Sequence, residues 1–196
     1  MKKSSMCLLA IICLGAFVCA GCTRSAYVNP DEPDVLGGTG IDSQDVRTVA
    51  QEMARDLVGA EVIASAEGKP VIALLPVRNE SRFRVDTDIM TLQIRDLLIE
   101  HAGSKIVFVA RDRMGDIYAE RDAKRAGEIS SAGEKMVSGA DYFLTGVLKP
   151  IHKSADGKAS DYVYYSFELI DAESSNIVWA KGYDIKKVGQ RGVLYR

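Results

Sequence analysis

The chain has 196 residues with 47% hydrophobic and 27% charged positions, enough for one domain with a real core plus extensions. Its formal net charge of -2 gives no electrostatic reason to expect nucleic acid or an anionic surface as partner. All four cysteines (Cys7, Cys13, Cys19 and Cys22) lie in the first 22 residues, so the domain that follows has neither a disulfide framework nor a thiolate metal site.

Lys2 and Lys3 open the chain as a positive n-region. Met6 to Ala20 is an apolar h-region, short for a membrane-spanning helix. It ends in Cys19-Ala20-Gly21-Cys22, small residues before a cysteine, which is the lipobox pattern of bacterial lipoproteins. Cleavage after Gly21 and acylation of Cys22 are expected. The competing reading is an ordinary signal peptide with a stray cysteine, or an uncleaved anchor. Cys19 stands where Leu is usual, but the small residues Ala20 and Gly21 are in place. Each buried methylene of an acyl chain contributes about 0.8 kcal/mol, so several chains on one residue hold a protein firmly to a membrane. Thr23 follows the cysteine in place of the Asp that retains lipoproteins at the inner membrane, which points to the outer membrane and its periplasmic face. Loss of residues 1–21 removes two lysines and no acid, making the mature chain more negative.

Residues 22–40 read as a tether. Asn29-Pro30, Glu32-Pro33 and Gly37-Gly38-Thr39-Gly40 are linker composition with no period of either kind. The glycine cluster follows no strand and lacks the lysine of a phosphate loop. Extended, the tether spans at most roughly 60 Å at about 3.3 Å per residue. Residues 41–196 are the expected domain.

Asp42 or Ser43 starts a helix through about Val58, with Val46, Val49, Ala50, Met53 and Leu57 as its apolar stripe and Gly59 at its close. Val71 to Val77 is a short apolar run, the mark of a strand buried on both faces. Arg78 to Arg84 is polar and loop-like. Asp86 or Thr87 caps a helix to about Ala102, with Met90, Ile94, Leu97 and Leu98 on one face and Gly103 just past its end. Ile106 to Val109 is a second short strand. Strand, helix and strand in this order make a right-handed crossover between parallel strands.

Asp112 to Gly139 reads as helical but broken, with Gly115, Gly127 and Gly133 interrupting it and its charges forming a solvated face, a partner-binding patch being the lesser reading. The last third is β. Tyr142 to Ile151 is a strand, and Lys153 to Ser160, with Asp156-Gly157, is a polar hairpin loop. From Tyr162 to Ile170, Val163, Tyr165, Phe167 and Leu169 face one way and Tyr162, Tyr164, Ser166 and Glu168 the other. Asp171 to Ser175 turns the chain, and Ile177 to Ile185 returns with Trp179 and Tyr183 on one face. The expected fold is α/β: a mixed sheet with a central strand-helix-strand crossover and a C-terminal antiparallel meander, with helices packed on the sheet. No internal repeat stands out.

No catalytic constellation is legible. His101 ends a helix, where a cation is favourable, and His152 ends a strand; neither has a neighbour at metal-ligand spacing. There is no GxSxG elbow, and no Ser is followed three residues later by Lys. Asp86 and Asp88 sit where acids stabilise a helix start. No metal, no cofactor and no enzymatic activity are expected.

The loop after the first strand is the candidate for binding a partner. Arg78, Asn79, Arg82, Phe83 and Arg84 lie just beyond a strand end, where sites in open α/β sheets are built, and Arg and aromatics are enriched at interface hot spots. The bland reading pairs these arginines with Glu80, Asp86 and Asp88 and packs Phe83 under the loop. On the interface reading, Arg82→Glu with Arg84→Glu leaves the fold intact and weakens binding. Tyr162 and Tyr164, opposite Phe167, are the next candidates.

Four segments carry a family resemblance: the lipobox at Cys22, VIALLPVRNES at Val71 to Ser81, VDTDIMTLQIRDLL at Val85 to Leu98, and DYFLTGVL at Asp141 to Leu148; the final hairpin from Asp161 to Ala180 is also similar. In their order and spacing the chain resembles the LpoB-type lipoproteins, outer-membrane activators of class A penicillin-binding proteins. The resemblance implies a small α/β domain similar to the N-terminal domain of TolB, on an acylated tether. It also implies docking on the noncatalytic accessory domain of a bifunctional peptidoglycan synthase and stimulation of that enzyme; a monomer is expected. Well-known members carry a long Pro- and Gln-rich tether; here it is short, with few prolines. A structural or secretion-associated envelope lipoprotein built on the same domain type is the alternative.

Overall fold

The computed structural model of the chain describes residues 27–32, 38–130, 133 and 135–190. The signal segment, Gly21 and Cys22 lie outside the described residues.

Helix α1 (Ser43–Val58) starts at Asp42, whose side chain accepts from the Asp45 amide while the Asp45 carboxylate accepts from the Asp42 amide, each at 3.0 Å. This reciprocal pair satisfies two of the amides that a helix start leaves open. The predicted stripe of Val46, Val49, Ala50, Met53 and Leu57 is buried. After Gly59 a single short helix, α2 (Glu61–Ala64), leads to the sheet.

Strand β1 (Val71–Leu74) lies inside the sheet, parallel to β3 (Val107–Val109) on one side and β4 (Tyr142–Ala155) on the other. Ile72 and Ala73 are fully buried, as the apolar run predicts. The strand is shorter than predicted because Pro76 has no amide to donate. Pairing with β4 resumes at β2 (Arg78–Asn79), a two-residue strand where a loop is expected. From Leu74 to Arg78 the chain takes one residue more than its partner takes from Leu144 to Val147. That extra residue bends the path as a bulge does and aims the following loop out of the sheet.

Helix α3 (Thr87–Ala102) is capped by Asp86, whose carboxylate accepts from the Asp88 and Ile89 amides. Met90, Ile94 and Leu98 are buried and Leu97 packs half-buried against the core. A side chain such as Leu98, fully buried, contributes about 1.5–3 kcal/mol relative to exposure. The helix ends at Gly103, φ 58°, and the chain returns through β3 at the sheet edge. Beyond it the predicted long broken helix is a 3-10 turn (Arg111–Arg113) and a 12-residue helix α4 (Met114–Arg125), none of whose side chains is buried. With no apolar face to bury, it has little to extend it past Gly127.

The C-terminal meander is longer than predicted. β4, β5 (Lys158–Asp171) and β6 (Ile177–Gln190) pair antiparallel along their lengths, and the sheet order is β3-β1-β4-β5-β6. Residues 153–160 are not a loop: Asp156 and Gly157, both at positive φ (49° and 72°), form a two-residue turn whose twist suits a hairpin. The register therefore holds to Ala155 and Lys158. Val163, Tyr165, Phe167 and Leu169 face inward under α1 and α3, with Tyr183 tilted against Phe167 at 6.1 Å between ring centroids.

Candidate partner-binding surface

The loop after β2 is organised by Asn79. Its amide donates to the Phe83 carbonyl and its side-chain oxygen accepts from the Ser81 amide, both at 2.8 Å. Glu80 keeps the sheet pairing one step further by donating its amide to the Leu148 carbonyl at 3.0 Å. This local bonding turns Phe83 inward, against the core and against Gly40. Arg78 and Arg84 remain exposed on the rim.

Arg82 does not face outward as a free rim arginine. One terminal nitrogen of its guanidinium donates to both oxygens of Asp161 at 3.0 Å, and the group lies over the Phe83 ring at 5.0 Å. Asp161 stands on β5 on the same face as Val163 and Tyr165, and only 1% of its side chain is exposed. The hydroxyl of Thr39 also donates to it, and the His152 Nδ1 lies 2.7 Å from its Oδ1. Burial pushes the Asp161 carboxyl up, but the bonds from Thr39 and His152 and the charge of Arg82 outweigh burial and hold it below the usual carboxylate range. His152, expected at a strand end, lies well inside β4 because β4 continues to Ala155. Thr39 donates to the carboxylate, not to the imidazole. The cluster therefore clamps a buried charge and does not form a nucleophile-base pair.

A second clamp lies beside it. Lys187 of β6 donates to the Gly40 carbonyl at 3.0 Å, to Asp42 at 2.7 Å and to Asp45 at 2.6 Å. Its three donors are thereby spent on the start of α1. Burial raises the Asp45 carboxyl despite the bond from Lys187, whereas at Asp42 the lysine and backbone bonds prevail and lower it. Thr39 and Gly40, read from sequence as the end of the tether, are thus packed on the domain.

Sequence reasoning missed both clamps, although a signal was present. Asp161 occupies an inward position of an alternating strand, and Lys187 follows Tyr183 and Ile185 at the same spacing on β6. A charge at such a position demands a partner. It also missed the second apolar side of α3. Leu92 and Ile99 face outward and, with Leu75, Pro76 and Phe108, line a cleft of about 650 Å³. Among the described residues no group of three or more His, Cys, Asp or Glu side chains is placed to hold a metal ion. No helix among them is long and apolar enough to cross a membrane.

The family profile described as peptidoglycan-synthase activator LpoB matches residues 45–185. Solved structures similar to the chain include the LpoB C-terminal domain from Escherichia coli, 15% identical over 72% of this chain and 98% of that one, with a TM-score of 0.45. The LpoB C-terminal domain from Salmonella enterica is 12% identical over the same shares, with a TM-score of 0.44. The NMR structure of Escherichia coli LpoB is 14% identical over 88% of this chain and 86% of that one, with a TM-score of 0.42. A comparison with curated proteins gives no match.

Proposed function

From the premise that the chain belongs to the peptidoglycan-synthase activator LpoB family, we propose that it is an outer-membrane lipoprotein, acylated at Cys22, that binds and activates a class A penicillin-binding protein. The family is one of regulatory lipoproteins and not of enzymes. The observation that carries this reading is the family match over residues 45–185, which takes in all but the first two residues of α1, the whole of α3 and the whole crossover. The clamp geometry is in keeping with a binding module: Asp161 and its partners hold structure and present no reacting atom. On this reading one copy of the domain, held to the periplasmic face of the outer membrane by its tether, docks on the accessory domain of the synthase. The exposed Arg78 and Arg84 contribute from the loop rim, while Asn79, Arg82 and Phe83 set the shape of that loop.

The test is reconstitution. The full chain, purified in detergent, is added to a class A synthase from the same cells, and glycan-chain formation from the lipid-linked precursor is followed. A rise in the initial rate is expected, with no release of muropeptides from cell walls by the chain alone. Absence of any rise, together with absence of co-purification with the synthase, refutes the reading.

A further inference from the structure

The helices α1 and α3 lie over one face of the meander, and among the described residues no helix packs on the other. The register fixes what that bare face shows. Lys149, Tyr164 and Asp184 form one row across β4, β5 and β6; Ile151, Tyr162 and Lys186 form the next; Lys153, Ser160 and Val188 form the third. All lie opposite the inward row of Val163, Tyr165 and Phe167. Arg78 joins them, because β2 pairs it with Val147, which is opposite Ser166 on the same face.

Five cations, Arg78, Lys149, Lys153, Lys158 and Lys186, therefore share this face with three acids, Glu80, Glu168 and Asp184, on a chain whose total charge is negative. Glu80 is engaged by Lys149 at 3.8 Å. Ile151 and Val188, exposed by 58% and 68%, stand among the cations with Tyr164, exposed by 39%. Tyr164 is also fixed. A Cβ on Gly182 would overlap the phenol, so the ring lies down across the backbone of β6 where only glycine leaves room.

We infer that this bare face docks the partner and that the matching surface of the partner is acidic. The inference rests on the reading of the chain as a synthase activator and names the surface that reading leaves open. Opposite potentials steer encounter and fix register, and a fixed tyrosine gives contact area at little entropic cost. A protein surface suits the face better than a bilayer does, because Tyr164 lies flat along the sheet and the exposed apolar side chains, Ile151 and Val188, are short and spaced among lysines, too little apolar area to hold the domain by insertion.

The test measures binding of the full chain in detergent to the detergent-solubilised class A synthase from the same cells, over a salt series. Lys149→Glu with Lys186→Glu should keep the circular dichroism spectrum, weaken binding at least roughly tenfold (about 1.4 kcal/mol) and flatten the salt dependence. Tyr164→Ala should weaken binding without changing the salt slope. Leu92→Ser with Ile99→Ser, in the cleft beside α3, should bind as wild type. If the wild type binds and the lysine variant binds equally well, this face is not the contact, although the activator reading stands. A loss confined to the cleft variant would have the same meaning and would move the interface to α3. Failure of the wild type to bind any class A synthase overturns the activator reading and the inference with it. Binding of the wild type to phosphatidylglycerol vesicles but not to synthase, lost in the lysine variant, would make the face a lipid surface and overturn the protein partner.

Discussion

Charge reversal separates Arg82 from its neighbour Arg84. Arg82 donates to both oxygens of Asp161, whose side chain is 1% exposed, while its own is 48% exposed. Breaking a fully buried pair by removing one partner costs about 3–5 kcal/mol. Half of the Arg82 side chain is already in water, and Asp161 keeps Thr39 and His152, so about 2 kcal/mol is expected for Arg82→Glu. At about 2–4 °C per kcal/mol for a chain of this size, the thermal midpoint should fall by about 4–8 °C. Arg84→Glu, on the exposed rim, should stay within about 0.5 kcal/mol of wild type. The assay is thermal unfolding followed by circular dichroism at neutral pH. The pH dependence has a definite sign. The folded-state pKa of Asp161 is depressed from its ordinary 3.8, so its contribution is fully present above that value and is lost as pH falls through the lower folded value. Asp161→Asn should accordingly flatten the fall in stability below about pH 4. Equal midpoints for wild type, Arg82→Glu and Arg84→Glu would refute the clamp.

Three further outcomes follow from the same geometry. Lys187→Met leaves Asp42 and the nearly buried Asp45 without their cation and should cost about 2–3 kcal/mol in urea unfolding; an unchanged urea midpoint would contradict the second clamp. A chain beginning at residue 41 loses the Thr39 hydroxyl and the Gly40 carbonyl and should melt below one beginning at residue 38, by about 1–2 kcal/mol; identical melting would place both residues in the tether after all. Cys22→Ala should abolish acylation, and mass spectrometry finding no acyl chain on the mature wild type would remove the lipoprotein assignment.

The helices of the core were readable because their signals are local. Asp42 and Asp86 cap, Gly59 and Gly103 close, and the apolar spacing between them is helical, so α1 and α3 begin and end within a residue of expectation. The parallel crossover followed from their order. Strand lengths were less legible. The Asp156-Gly157 turn is visible in the sequence, but its flanks are polar because the hairpin tip has no core beneath it, so nothing in the pattern distinguishes strand from loop there. At β2 the reverse holds: a polar segment pairs with β4 through its backbone alone.

The candidate site was half legible for a related reason. Arg78 and Arg84 can be read as exposed cations from the loop composition, and they are exposed. Arg82 has the same composition around it, yet its partner lies 79 residues away, a distance over which no sequence period operates. What the sequence does show is that Asp161 breaks an inward apolar row, so something must answer its charge; it cannot show that loop, hairpin and tether end all do. That shared carboxylate has a geometric consequence. Arg82 and Thr39 both bond Asp161, so one buried group sets the loop and also fixes where the tether meets the domain. The loop rim and the bare sheet face meet at Arg78, beside Val147. The tether end is packed on the opposite side of the meander, with the inward row of β5. Thr39 and Gly40, bound on that side, leave the cationic face open to a partner.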